Sequence, residues 1–172
     1  MIRIVLALGA LVVLASCASL SETQCRSGDW ERIGLRDGAD GRSPDFIATN
    51  ADACADYGIT PDVAAWEAGR QEGLKLYCTP SRAYDRGVDG FTFREEVCPA
   101  EMQTTLSRAN RSGLRLHEIE DDISDTRREI LHVESRLAKL PDDDPTRATL
   151  LRELSFLRLA LMQLRTSRLR YL

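Results

Sequence analysis

"DWERIGLRDG" (Asp29–Gly38) and "AAWEAGRQEG" (Ala64–Gly73) share one pattern. Each has a tryptophan, then G-x-x-[DE]-G: Trp30, Gly34, Asp37 and Gly38 in the first, Trp66, Gly69, Glu72 and Gly73 in the second. On a helix, glycines four apart lie on one face and let another backbone come close. The pair therefore predicts two helices that cross tightly, each with a tryptophan covering the contact. That reading sets the fold class as all-α.

Working outward, the neighbouring residues mark helix ends. "SPDF" offers Ser43 as an N-cap with Pro44 in the first turn, and "TPDV" repeats the signal at Thr60 and Pro61. Gly58 suits the end of the preceding helix. Three short helices are expected, over about Gly28–Ala39, Pro44–Tyr57 and Pro61–Tyr77. A glycine-rich loop should follow from Cys78 to Pro99, with "GFTFREEV" as a short extended segment.

Composition changes near Pro99. Glycine, tryptophan and cysteine give way to leucine, arginine and glutamate. Met102, Thr105, Ala109, Ser112, Leu116, Ile119, Ile123, Thr126, Ile130, Val133, Leu137 and Leu140 alternate steps of three and four, a heptad seam. Pro141 stops it, and Asp144-Pro145 restarts a helix. Leu150, Leu154, Leu157, Leu161, Leu164 and Tyr171 continue the spacing. An antiparallel coiled-coil helical hairpin over 100–172 is expected. Its acidic residues Glu118, Glu120, Asp121, Asp122 and Asp125 should fold toward Arg165, Arg168 and Arg170. Leu151, Phe156, Leu159 and Met162 widen the second stripe beyond what two helices need, which leaves a face for the rest of the chain, a second copy or another protein.

The N-terminus, "MIRIVLALGALVVLASCASLSE", has a basic Arg3 and then an apolar run too short to span a bilayer. "LASC" matches the lipobox of bacterial lipoprotein precursors. That resemblance implies a signal peptide over 1–16, lipidation of Cys17 and a lipidated linker over 17–24. Ala18 and Ser19 follow in place of the aspartate that retains such proteins in the inner membrane. The expected location is thus the outer membrane, lipid-anchored and facing the periplasm.

The lipid also settles the cysteine count. Of five cysteines, Cys17 is taken, which leaves Cys25, Cys54, Cys78 and Cys98 for two disulfides in an oxidising compartment. Zinc-knuckle and C-x-x-C redox spacings are both missing. Antiparallel neighbouring helices bring Cys25 and Cys54 to one end and leave Cys78 to pair with Cys98.

A formal charge of −4 and an exported address argue against nucleic acid. Asp37, Asp40 and Asp45 do not meet a calcium-loop pattern. No G-x-S-x-G is present, and the two histidines lie outside the cysteine-rich part. No metal, cofactor or catalytic residue is assigned. The binding candidates are Trp30, Asp37, Trp66, Tyr84 and Asp89.

The order of Cys25, Trp30, Gly34, Asp37-Gly38, Gly41, Cys54, Gly58, Trp66, Gly69, Gly73-Leu74, Tyr77-Cys78-Thr79, Gly87, Gly90 and Cys98 resembles a family of small Gram-negative lipoproteins known as domain of unknown function 2799. The resemblance covers 25–99 and implies an envelope location and a shared disulfide-stapled helical domain. It implies no activity. The function expected is a non-enzymatic envelope scaffold or interaction module, partnered through the membrane lipid and the C-terminal hairpin. The alternative is a small-ligand or glycan-binding domain, or a hydrolase, using aromatic and acidic residues between Cys78 and Cys98.

Overall fold

The computed structural model describes residues 19–172, so the lipobox and Cys17 lie outside the described residues. Seven α-helices and one 3-10 turn make up the described chain, with no strand among them. The helices are α1 (Glu22–Ser27), α2 (Trp30–Ala39), α3 (Phe46–Ala55), α4 (Val63–Tyr77), α5 (Pro80–Val88), α6 (Ala100–Leu137) and α7 (Thr146–Arg168). Two disulfides join Cys25 to Cys54 and Cys78 to Cys98.

The paired glycines do meet. A Cβ on Gly34 would strike the Trp66 carbonyl, and one on Gly38 the Arg70 carbonyl. Reciprocally, Gly69 faces the Glu31 carbonyl and Gly73 the Leu35 carbonyl. Residue numbers rise together along both helices, so α2 and α4 run parallel with backbones in contact. Trp30, Ile33, Cys54 and Trp66 build the core around this crossing, and Leu20 joins them. The expected linker over 17–24 is therefore partly structured: Leu20 is buried, and α1 begins at Glu22 behind a capping box of Ser21 and Gln24.

The expected loop between Cys78 and Pro99 contains a helix. Thr79 caps α5 by accepting from the Arg82 N–H, and Pro80 occupies its first turn. "GFTFREEV" is not a strand; it ends in the 3-10 turn Glu95–Val97. Elsewhere aspartate displaces the expected cap. Asp62, not Thr60, accepts from the Ala65 N–H, so α4 starts at Val63. Asp45 precedes α3, while Ser43 and Pro44 form a turn before it.

A second close crossing joins α5 to α6. Gly87 faces the Asn110 carbonyl and Gly113 the Tyr84 carbonyl. This corrects the first third of the seam. Leu106, Asn110 and Gly113 are buried there, Thr105 is exposed, and Met102, Ala109 and Ser112 are only half-buried. The cause is length. α7 is 23 residues against 38 in α6, so it covers α6 only from Leu137 back to Ile119, and the rest of α6 turns a different face to α5. Over the shared length, Val133 and Leu137 pack on Leu150 and Leu154, and Ile119 and Ile123 pack on Leu161. α7 thus runs back along α6.

The expected charge pairing is narrower than its residue list. Arg168 meets Glu120 at 3.3 Å, and Arg158 meets Glu134 at 2.8 Å. Glu118 and Asp125 pair within α6, with Arg115 and Arg128. Residues one helical turn apart need no chain reversal to meet, so the local partners win.

Candidate functional site

Three of the five sequence-nominated binding residues are in the core. Trp66 is 1% exposed, Trp30 5% and Asp37 2%. Asp37 Oδ2 accepts from the Trp66 indole N–H at 2.9 Å and from Asn50 Nδ2 at 2.8 Å. Its Oδ1 accepts from Arg36 at 3.0 Å. The carboxylate is thereby engaged by α2, α3 and α4 together and has no face for a ligand. Trp30, Asp37 and Trp66 are placed as structural residues. A glycine-backed crossing needs wide side chains at its margins, and a buried indole needs an acceptor.

Tyr84 is half-buried, and its hydroxyl donates to the Tyr171 carbonyl at 2.5 Å, tying the chain end to α5. Asp89 alone of the five is exposed beside a concave surface. Arg70, missed by sequence reading, is almost fully buried. Glu67 holds it at 2.7 Å, and its Nη1 donates to the Arg42 carbonyl at 3.1 Å. The Arg70 hydrogen bonds hold the Glu67 carboxyl below its ordinary value, against a smaller opposing effect of burial.

The concave surface is a cleft of about 380 Å³ between the end of α2, the end of α4 and the outer face of α5. Tyr77 and Phe93 form its floor, with rings stacked at 4.3 Å. Gly41, at φ +69°, lies flat against the Tyr77 ring, where a Cβ would collide. The Tyr77 hydroxyl accepts from the Arg94 N–H at 3.1 Å. Burial pushes the Tyr77 hydroxyl above its ordinary value, so it stays protonated. Arg42, Arg82, Arg86 and Arg94 line the walls together with Asp40, Asp85 and Asp89. The Arg42 guanidinium lies 4.4 Å from the Phe46 ring centre, and that of Arg86 lies 4.3 Å from Phe91. Such a cation–π contact seats a guanidinium over an aromatic ring and leaves N–H groups available.

Two apolar surfaces lie elsewhere. Leu74, Val97, Pro99 and Met102 border a groove of about 650 Å³ beside the Cys78–Cys98 disulfide. On α7, Leu151, Phe156, Leu159 and Met162 stand exposed, Phe156 at 73%. They lie on the side away from Leu150, Leu154 and Leu161. His117, outside the seam in the sequence, bonds the Val88 carbonyl through Nδ1 at 2.9 Å and sits beneath Gly90. Among the described residues, no three His, Cys, Asp or Glu side chains gather as a metal site, and no helix is long and apolar enough to cross a membrane.

Residues 29–115 match the family described as "Protein of unknown function (DUF2799)". The chain belongs to the DUF2799 family. The match takes in both glycine crossings, α2 with α4 and α5 with α6, since it runs into α6 as far as Arg115. It also takes in the whole cleft lining of this DUF2799 protein, from Ala39 to Arg94. No curated protein and no solved structure matches the chain.

Proposed function

We infer that this DUF2799 protein is a non-enzymatic interaction module of the bacterial envelope. It is anchored in the outer membrane through lipid on Cys17 and faces the periplasm. A disulfide-stapled helical head carries an antiparallel coiled-coil hairpin made of α6 and α7. The first helix of that hairpin is 38 residues long, and the part paired with α7, Ile119 to Leu137, extends roughly 30 Å beyond the head.

The observation that carries this reading is the second apolar face of α7. One face is spent on α6, yet Leu151, Phe156, Leu159 and Met162 remain exposed on the other. A continuous exposed stripe of large side chains marks an interaction surface. Arg152 lies beside it, and Arg152, Arg165 and Arg170 make no ion pair among the described residues. The fitting partner is a protein segment with an apolar face and an acidic rim.

Photocrosslinking residues placed at Phe156 and at Met162, with a control at Asp122 on the acidic side of α6, test this in cells. Adducts with a distinct protein from the α7 positions, lost on Leu159→Glu, support it. Equal adducts from Asp122, self-adducts alone, or none would overturn it. For the anchor, Cys17→Ser should release the chain from membranes. A cleaved, unacylated form that still fractionates with outer membrane would refute the lipid attachment.

A further inference from the structure

Two helix ends that border the cleft have the same build. Gly38-Ala39-Asp40-Gly41 closes α2, and Gly87-Val88-Asp89-Gly90 closes α5; both read G-x-D-G. In each, the last glycine takes a positive φ, +69° and +83°, and donates to the carbonyl of the first glycine at 2.9 Å. The next N–H then turns back, Arg42 to the Asp37 carbonyl and Phe91 to the Arg86 carbonyl. Asp40 and Asp89 are thereby set at the carbonyl ends of two helices. The ring of Tyr77, the last residue of α4, lines the same cleft. Helix carbonyl ends carry partial negative charge and favour a cation.

The same cleft also holds four arginines. Arg42, Arg82 and Arg86 make no ion pair among the described residues, and Arg94 only a long one to Glu96 at 3.8 Å. Asp40, Asp85 and Asp89 likewise stay unpaired, although Arg82–Asp85 and Arg86–Asp89 are each three residues apart on α5. On α6, Arg115 and Glu118 have the same order and spacing and close to 2.5 Å. Exposed, unpaired charges of both signs therefore line one open cleft. A plain anion would meet three carboxylates and two helix carbonyl ends. A plain cation would meet four guanidinium groups.

We propose that this cleft binds a small zwitterion of the amino-acid or short-peptide class. The ammonium sits against Asp40 and Asp89 at the two helix ends. The carboxylate takes N–H groups of Arg42 and Arg86, which rest over the rings of Phe46 and Phe91. The body of the ligand lies over Tyr77 and Phe93. The volume, about 380 Å³, falls within the ~300–1,000 Å³ usual for small-molecule sites. This site is separate from the α7 face, and neither proposal depends on the other.

Calorimetric titration of the full chain, both disulfides intact, is the test. The probes are dialanine, N-acetyl-dialanine, which lacks the ammonium, and dialanine amide, which lacks the carboxylate. Dialanine should bind saturably, and each blocked form should bind at least tenfold more weakly. Arg86→Gln should abolish the discrimination against the amide but not against the acetylated form. Asp89→Asn should do the reverse. Both side chains are exposed, so both variants should keep the parent melting temperature. No saturable binding of dialanine, equal binding of the blocked forms, or variants that lose both discriminations alike would overturn the proposal.

Discussion

Gly34 of α2 rests against the backbone carbonyl of Trp66 on α4, with no space for a single added carbon. The obstacle is main chain, not a side chain that can turn away. Repeated at Gly38, Gly69 and Gly73, this contact sets the separation of the two helices and thereby the core around Trp30 and Trp66.

Gly34→Ala or Gly69→Ala should therefore destabilise the protein by about 3 kcal/mol or more, since the helices must separate. Gly28→Ala is the contrast. Gly28 has φ +64° but open space around it, so only backbone strain applies, about 1–2 kcal/mol. Chemical denaturation of the variants measures both. Equal losses at Gly28 and Gly34 would remove the packing argument.

Asp37→Ala should cost about 2–4 kcal/mol, because the Trp66 and Asn50 donors are left buried without an acceptor. Tryptophan fluorescence should shift as the indole loses its partner. A neutral result would show that solvent reaches the network.

Ile123→Asp places a charge between α6 and α7 and should cost roughly 3–5 kcal/mol. Phe156→Ser, on the exposed face of α7, should change stability by no more than about 0.5 kcal/mol. Thermal melts followed by circular dichroism compare them directly. A large loss at Phe156 would mean that its face is already covered.

Stability should fall at alkaline pH through Tyr77. Its folded value is raised by burial, so the unfolded chain releases this proton first. The contribution is complete below the ordinary tyrosine value, about 10, and is lost as pH rises through the folded one. Tyr77→Phe should remove that part of the alkaline loss, as read from denaturation midpoints across pH. At the acid end the sign reverses. Glu67, lowered by Arg70, supports the fold above the ordinary carboxylate range and loses that contribution as pH falls. Glu67→Gln should flatten the acid limb. Unchanged limbs in both variants would rule out these two groups.

Removing the Cys78–Cys98 bridge by a double serine substitution should cost about 3–4 kcal/mol in the chain-entropy model. Proteolysis should then cut first near Arg94, because Phe91 to Arg94 lie outside any helix and would rest on the contacts of Phe91, Phe93 and Arg94 with Tyr77 and Asn110. Cleavage elsewhere at the same rate would show that these contacts hold the segment without the bridge.

Local rules made much of the architecture legible. Helix periodicity, the paired W…G-x-x-[DE]-G stretches and the proline-bounded turn act over a few residues, and an all-helical chain follows from them; the two disulfides followed from the cysteine count and the helix order. The cap at Thr79-Pro80 was equally local and announced α5, but the glycines around it read as loop. Their actual role, the crossing of Gly87 with Gly113, needs a partner beyond short range in the chain. For the same reason the seam was misplaced before Leu116: which face of a helix is buried depends on what lies beside it. The site candidates show the limit most clearly. Trp30, Asp37 and Trp66 have residue types that suit either a binding face or a core, and only packing makes them core. The cleft shows the converse. Arg42, Arg86, Asp40 and Asp89 look like ordinary solvated charges along the chain, and only the folded arrangement of α2, α4 and α5 brings them around one cleft. Sequence by itself determined the all-helical class and the α2–α4 contact that the paired glycines permit, because these depend on local geometry. Tertiary structure alone decided which charges face one another, because that depends on distances no spacing encodes.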